Sequence, residues 1–126
     1  MTIKIKSLAR TNPRDLAAPK KYYATVVNQG DATLNSLSQQ IAMMSTVSKT
    51  DVYAVLMALT EVVPLALAEG KIVRMGNLGS FRVMVNSDAV ATEQEVTSNL
   101  VKQLRLAYRP SQELKTQVET FQVEKA

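Results

Sequence analysis

Arg74, Arg82 and Arg105 each sit between large apolar residues, in Val73-Arg74-Met75, Phe81-Arg82-Val83 and Leu104-Arg105-Leu106. Successive side chains on a strand point to opposite faces, so burying the apolar neighbours displays three guanidinium groups on the other side. Such a surface suits a polyanion, although the same alternation also describes a solvated sheet face. This is binding chemistry. The chain has no His and no Cys, which removes the commonest metal ligands, the commonest neutral-pH base and all thiol chemistry. Only Ser, Lys or carboxylate catalysis would remain, and no base accompanies a hydroxyl in a recognisable motif. Ser48 and Ser111 stand where helix caps belong, and the lysines read as solvated charges. The sequence therefore implies no enzyme, no cofactor, no metal and no small-molecule substrate.

The 126 residues suit one domain-sized core, and 46% hydrophobic with 21% charged residues is ordinary for a globular chain. The net charge of +4 is unevenly spread. Residues 1–31 hold six basic against two acidic residues; 83–101 hold only Asp88, Glu93 and Glu95; 102–126 return to a basic surplus. A pI near 9.5 adds support for an anionic partner without establishing one. The opening residues lack the apolar run of a signal peptide, and Val52 to Ala68 is interrupted by Thr60, Glu61 and Pro64 and reads as short for a bilayer span. The expectation is a cytoplasmic protein with no membrane partner.

These arginines need a sheet and something for it to pack on. Ile3 and Ile5 alternate with Lys4 and Lys6, predicting a short strand, and Lys21 to Val27 predicts a second after the turn chemistry of Asn12-Pro13 and Ala18-Pro19. Tyr22 and Tyr23, as strand neighbours, face opposite ways. From Asp31 or Thr33 as cap, Leu34, Leu37, Ile41 and Met44 recur at helical spacing. Ser48 with Asp51 then starts a long helix to Glu69, apolar nearly all round, with Pro64 expected to kink its last turns and Gly70 to cap it. A helix so apolar must be covered on most sides. In so short a chain the expected cover is a second copy, giving an obligate homodimer, with a central helix in a monomer as the other reading.

Two strands then meet at a turn containing Gly76, Asn77 and Gly79. Leu104, Leu106 and Tyr108 alternate with Arg105 and Arg109 in a third strand, Pro110 stops it, and Ser111 caps a final helix carrying Leu114, Val118 and Phe121 on one face. Asn86 to Asn99 between them reads as a flexible excursion or a short added element.

Three stretches resemble the HU and integration-host-factor family of bacterial DNA-bending proteins. Met75-Gly-Asn-Leu-Gly-Ser-Phe81 looks like its strand-turn-strand signature; Ala107-Tyr-Arg-Pro-Ser-Gln-Glu-Leu-Lys115 looks like its ending; Ser48 to Gly70 fits its long second helix. The N-terminal part, from Asn12-Pro-Arg-Asp15 through Lys20-Lys-Tyr-Tyr-Ala24, is similar to the extension of a Bacteroidetes-type branch, the HU-HIG group. The resemblance implies an α+β, IHF-like DNA-binding fold: a helical base, a three-stranded antiparallel sheet with a β-arm, an intertwined dimer, and an added N-terminal β extension. It places the extension at 1–31 and the HU-like domain at 32–126, with the arm at about 84–101.

It further implies a nucleoid-associated protein binding double-stranded DNA through its phosphates with low sequence preference, as a homodimer or paired with a paralogue. Arg74, Arg82 and Arg105 would meet phosphates or a narrow minor groove, with Arg109, Lys102 and Lys115 flanking them. The arm departs from the family pattern of basic residues and a wedging proline: Asn86 to Asn99 has three acids, no base and no proline. The alternative is a structural or protein-interaction module that kept the fold without DNA.

Overall fold

The computed structural model describes residues 1–126 as a mixed α+β protein with three helices and two three-stranded sheets. The chain divides into two compact units, Met1–Ala32 with Gln117–Ala126, and Thr33–Thr116.

In the first unit, β1 (Thr2–Arg10) is the central strand. Its second half pairs antiparallel with β2 (Lys21–Val26), from Ile5 opposite Val26 to Arg10 opposite Lys21. Its first half pairs in parallel with β6 (Gln122–Lys125), from Thr2 opposite Gln122 to Ile5 opposite Lys125. The alternation of Ile and Lys predicts a short strand, whereas β1 runs for nine residues. The ladder to β2 alone holds the stretch Ser7 to Arg10, which carries no strand pattern of its own. The C-terminus differs from expectation for the same reason. The last helix, α3 (Gln112–Glu119), stops short of Phe121, and the chain then becomes strand. Four residues give no readable period; β1 supplies the ladder that orders them. The boundary at 31/32 drawn from the sequence keeps these residues with the second unit, while β6 joins the first.

The second unit begins with α1 (Leu34–Met43), capped by Thr33 and not Asp31. The Thr33 hydroxyl accepts from the Ser36 amide at 3.1 Å while the Ser36 hydroxyl accepts from the Thr33 amide at 2.9 Å, a reciprocal cap. The second helix, α2 (Lys49–Ala68), starts at Ser48, whose side chain accepts from the Asp51 amide at 3.2 Å. It continues through Pro64 and packs against α1. Gly70, at φ +79°, ends it in a Schellman arrangement: Lys71 N–H donates to Ala66 C=O and Gly70 N–H to Leu67 C=O.

β3 (Val73–Arg74), β4 (Ser80–Ser87) and β5 (Val101–Arg109) form the second sheet, antiparallel throughout and in that order. The first strand is only two residues long, because Gly76–Leu78 coil into a 3₁₀ turn closed by Met75 N–H donating to Gly79 C=O at 2.8 Å. The excursion between β4 and β5 contains two further 3₁₀ turns, at Glu93–Glu95 and Ser98–Leu100, and a register shift at Asn86/Ser87 where β4 gives way to it.

Very little apolar surface is enclosed. Val52, 8% exposed, is the one buried hydrophobic side chain. The chain exposes 10682 Å², against about 6,600 Å² expected for one compact body of this mass, or about 7,900 Å² for two separate bodies of these sizes. α2 leaves Val55 at 67% and Leu65 at 65%, and β5 leaves Leu104 at 66% and Leu106 at 62%. Monomeric proteins seldom present apolar surface on this scale. At 20 residues, and about 30 Å at the usual rise, α2 is by length and composition alone long and apolar enough to cross a membrane.

Gly79 is the most constrained of the four glycines. Its φ is +123°, and a Cβ there would lie 2.2 Å from the Arg109 carbonyl oxygen and 2.8 Å from the Pro110 Cα. Gly79→Ala is expected to cost about 3 kcal/mol or more, since backbone strain and a clash against backbone atoms add. Urea unfolding followed by circular dichroism measures it.

Candidate nucleic-acid interface

The register of β4 and β5 sorts the second sheet into two chemically different faces. Phe81 lies opposite Tyr108, Val83 opposite Leu106, and Val85 opposite Leu104; Val73 joins them by pairing with Phe81. Residues directly opposite share a face, so these make one apolar side. The Phe81 and Tyr108 rings are 5.1 Å apart, within the range of favourable tilted aromatic pairs.

The other face holds Arg74 opposite Ser80, Ser80 opposite Arg109, Arg82 opposite Ala107, and Arg105 opposite Met84. Arg74, Ser80 and Arg109 thus form one row across all three strands, with a small, buried serine between two arginines. Neighbouring strands are about 4.8 Å apart, which puts the Arg74 and Arg109 backbones roughly 10 Å from each other. Arg82 starts the next row on the same face. A hollow of about 480 Å³ opens among Arg74, Arg82, Arg109, Ser80, Ser111 and Gly79. The Arg105 guanidinium lies farther along, 3.8 Å from the Met84 sulfur. None of these four arginines is in an ion pair.

A small set of contacts fixes the rim of the hollow. The Tyr108 hydroxyl donates to the Leu78 carbonyl at 2.6 Å, and the Ser111 hydroxyl donates to the Asn77 carbonyl while accepting from the Leu114 amide at 3.0 Å. With no side chain at Gly79, the 3₁₀ turn lies directly against Arg109 and Pro110. The two glycine- and proline-containing motifs are therefore one structure, a turn locked onto the end of β5. Ser111 both caps α3 and ties the turn down.

Two basic residues are placed differently. Lys102 is paired with Asp88 at 2.9 Å, so the base of the excursion offsets its charge. Lys115 stands on α3, outside the residues lining the hollow. Sequence alternation had placed Arg109 on the arginine side of β5, but only the Arg74–Ser80–Arg109 row shows that it joins Arg74 about one hollow. The signal for that closeness is the small residue Ser80, which pairs with both.

A family model described as "HU domain fused to wHTH, Ig, or Glycine-rich motif" matches residues 1–125. The chain belongs to the HU-HIG family. Among solved structures it is similar to a protein of Bacteroides vulgatus ATCC 8482 described as a "Putative bacterial DNA binding protein", with a TM-score of 0.64 and 14% sequence identity. That likeness covers 98% of this chain and 47% of the other, so this HU-HIG chain spans about half the length of that relative. No curated protein matches it. Family membership takes in the N-terminal strands as well as the helices and the arginine-bearing sheet, since the match runs almost end to end.

The lock between the turn and β5 is measurable. Tyr108→Phe removes the hydroxyl bond to Leu78 and keeps the ring against Phe81, so it is expected to lower stability by about 1 kcal/mol. A shift of the urea midpoint with unchanged slope would report that loss, and an unchanged midpoint would show that the hydroxyl does not hold the turn.

Proposed function

We propose that this HU-HIG protein is a non-enzymatic, nucleoid-associated protein that binds double-stranded DNA through its phosphates, with low sequence preference, as a homodimer. The observation carrying this reading is the row Arg74–Ser80–Arg109 with Arg82 beside it: guanidinium groups without carboxylate partners, grouped on one face of a sheet whose other face is apolar. Guanidinium forks match phosphate oxygens geometrically. A guanidinium can also read a guanine edge, but the row holds no Asn, Gln or acidic side chain to vary the donor and acceptor pattern, so binding along the backbone is the reading it supports.

Burial supports the dimer. The apolar faces of α2 and of the second sheet lie open in the single chain, and a second copy covering both would bring the exposed area closer to that of folded proteins. A bilayer around α2 would leave Leu104 and Leu106 uncovered and would take Glu61 out of water. Sedimentation velocity is expected to give a species of twice 13.8 kDa, and Leu104→Glu with Leu106→Glu is expected to abolish it, because each charge would enter the covered face.

The role of the arm is weakened. Asp88, Glu93 and Glu95 put negative charge between β4 and β5, and the segment has no proline to wedge between base pairs. The reading therefore rests on the sheet face, with Arg105 extending it and Lys102 and Lys115 contributing little.

Binding of a random duplex at several salt concentrations tests the proposal. The expected plot of log affinity against log salt is steeper than about −2, and replacing Arg74, Arg82 and Arg105 by alanine should weaken binding at least tenfold, about 1.4 kcal/mol. No binding at low salt would favour a protein-interaction module with the same fold. Asp88→Asn, which frees Lys102, is expected to strengthen binding two- to threefold and to steepen the slope by up to about 0.9; an unchanged slope would leave Lys102 outside the interface.

A further inference from the structure

The N-terminal sheet is two-sided in the same way as the arginine-bearing one. By the β1–β2 register, Ile5, Ser7, Ala9, Tyr22, Ala24 and Val26 share one face, and Lys6, Arg10, Lys21 and Tyr23 share the other with Leu8 and Thr25 between them. Lys4 also lies on the cationic side, where Glu124 of β6 pairs with it. Lys6, Arg10 and Lys21 have no acidic partner. Arg10 and Lys21 stand directly opposite each other across the two strands, an arrangement of like charges that costs stability in the isolated sheet.

The surroundings make the charge denser. Arg14 lies four residues past the end of β1 and Lys20 immediately precedes β2, in the loop that carries Asn12-Pro13 and Ala18-Pro19. Asp15, the one acid in that loop, is in no ion pair with these cations; its side chain accepts from the Ala17 amide at 3.1 Å. The Arg10 guanidinium is held 5.4 Å over the Tyr23 ring, which orients it without removing its charge. A hollow of about 440 Å³ lies among Arg10, Asn12, Pro13, Lys20, Lys21 and Tyr23.

We infer that this cationic face is a second phosphate-binding surface, carried by Lys6, Arg10 and Lys21, and that its ligand is the backbone of duplex DNA. An anion between Arg10 and Lys21 relieves the repulsion that the register builds in, and a polyanion serves Lys6 on the same face as well. Stacked single-strand bases are the poorer match, because Tyr22 points to the opposite side and Arg10 already covers Tyr23. The inference rests on the DNA-binding reading above and adds to it a separate surface on the other compact unit.

The test compares the intact chain with two triple variants, K6A/R10A/K21A and R74A/R82A/R105A, on one 30-base-pair random duplex between about 50 and 200 mM salt. The N-terminal variant is expected to bind at least fivefold more weakly at the lower salt and to lose at least about 1 from the magnitude of the salt slope. The charge-retaining K6R/R10K/K21R chain should keep the slope. Lys6→Glu alone, at one exposed site, should weaken binding at least threefold even where the triple variant folds poorly. If K6A/R10A/K21A and Lys6→Glu both match the parent chain while R74A/R82A/R105A weakens binding, the second surface is refuted and the DNA-binding reading stands. A parent chain that binds no duplex at low salt overturns both.

Discussion

The pairing of Phe81 with Tyr108 sets the chemistry of the whole second sheet. Strand side chains alternate strictly, so this one match places Val83, Leu106, Val85 and Leu104 on the same side and sends Arg82, Arg105 and Arg109 to the other. A slip of one residue would mix arginines into the apolar face. The aromatic contact, and the turn locked against Arg109 and Pro110 at the end of the strand pair, both act against such a slip. Register here is what separates a surface for burial from a surface for anions.

The apolar side explains why the protomer looks unfinished. Hydrophobic burial is the main favourable term in folding, yet α1 and α2 enclose almost nothing between them beyond Val52 and the side chain of Ser38, whose hydroxyl is spent on the Leu34 carbonyl at 2.6 Å. The single chain therefore gains little of that term from its own contacts. If a second copy supplies the missing cover, folding and assembly become one event, and the arginine face is displayed only when the opposite face is occupied. On that view the display of charge depends on the burial behind it.

Electrostatically, the chain separates its signs. The excursion between β4 and β5 carries acidic residues and no unpaired cation, and one of those acids offsets Lys102, while unpaired cations lie on one face of each sheet. This division fits backbone recognition, in which many modest, salt-sensitive attractions sum to affinity. It is less suited to an arm that bends the duplex, because acidic residues beside phosphates oppose the approach.

Much of this was legible in the residues. The first helix start narrowed to Asp31 or Thr33, the second at Ser48, the end at Gly70, the alternation behind Arg74, Arg82 and Arg105, and the family resemblance all rest on short-range rules: caps, periods and turn residues act over a few positions. What the sequence could not supply were matters of partnership between distant segments. Phe121 has the spacing of a helix residue, but the chain beyond Glu119 becomes strand because β1 offers an edge. The grouping of Arg109 with Arg74 about one hollow depends on a row through Ser80 and on a turn that only glycine allows against a carbonyl 30 residues away. Lys102 reads as a free cation until Asp88 is found beside it. The sequence by itself determined which residues alternate and where elements begin; the tertiary structure decided which strands meet, and therefore which charges stand together.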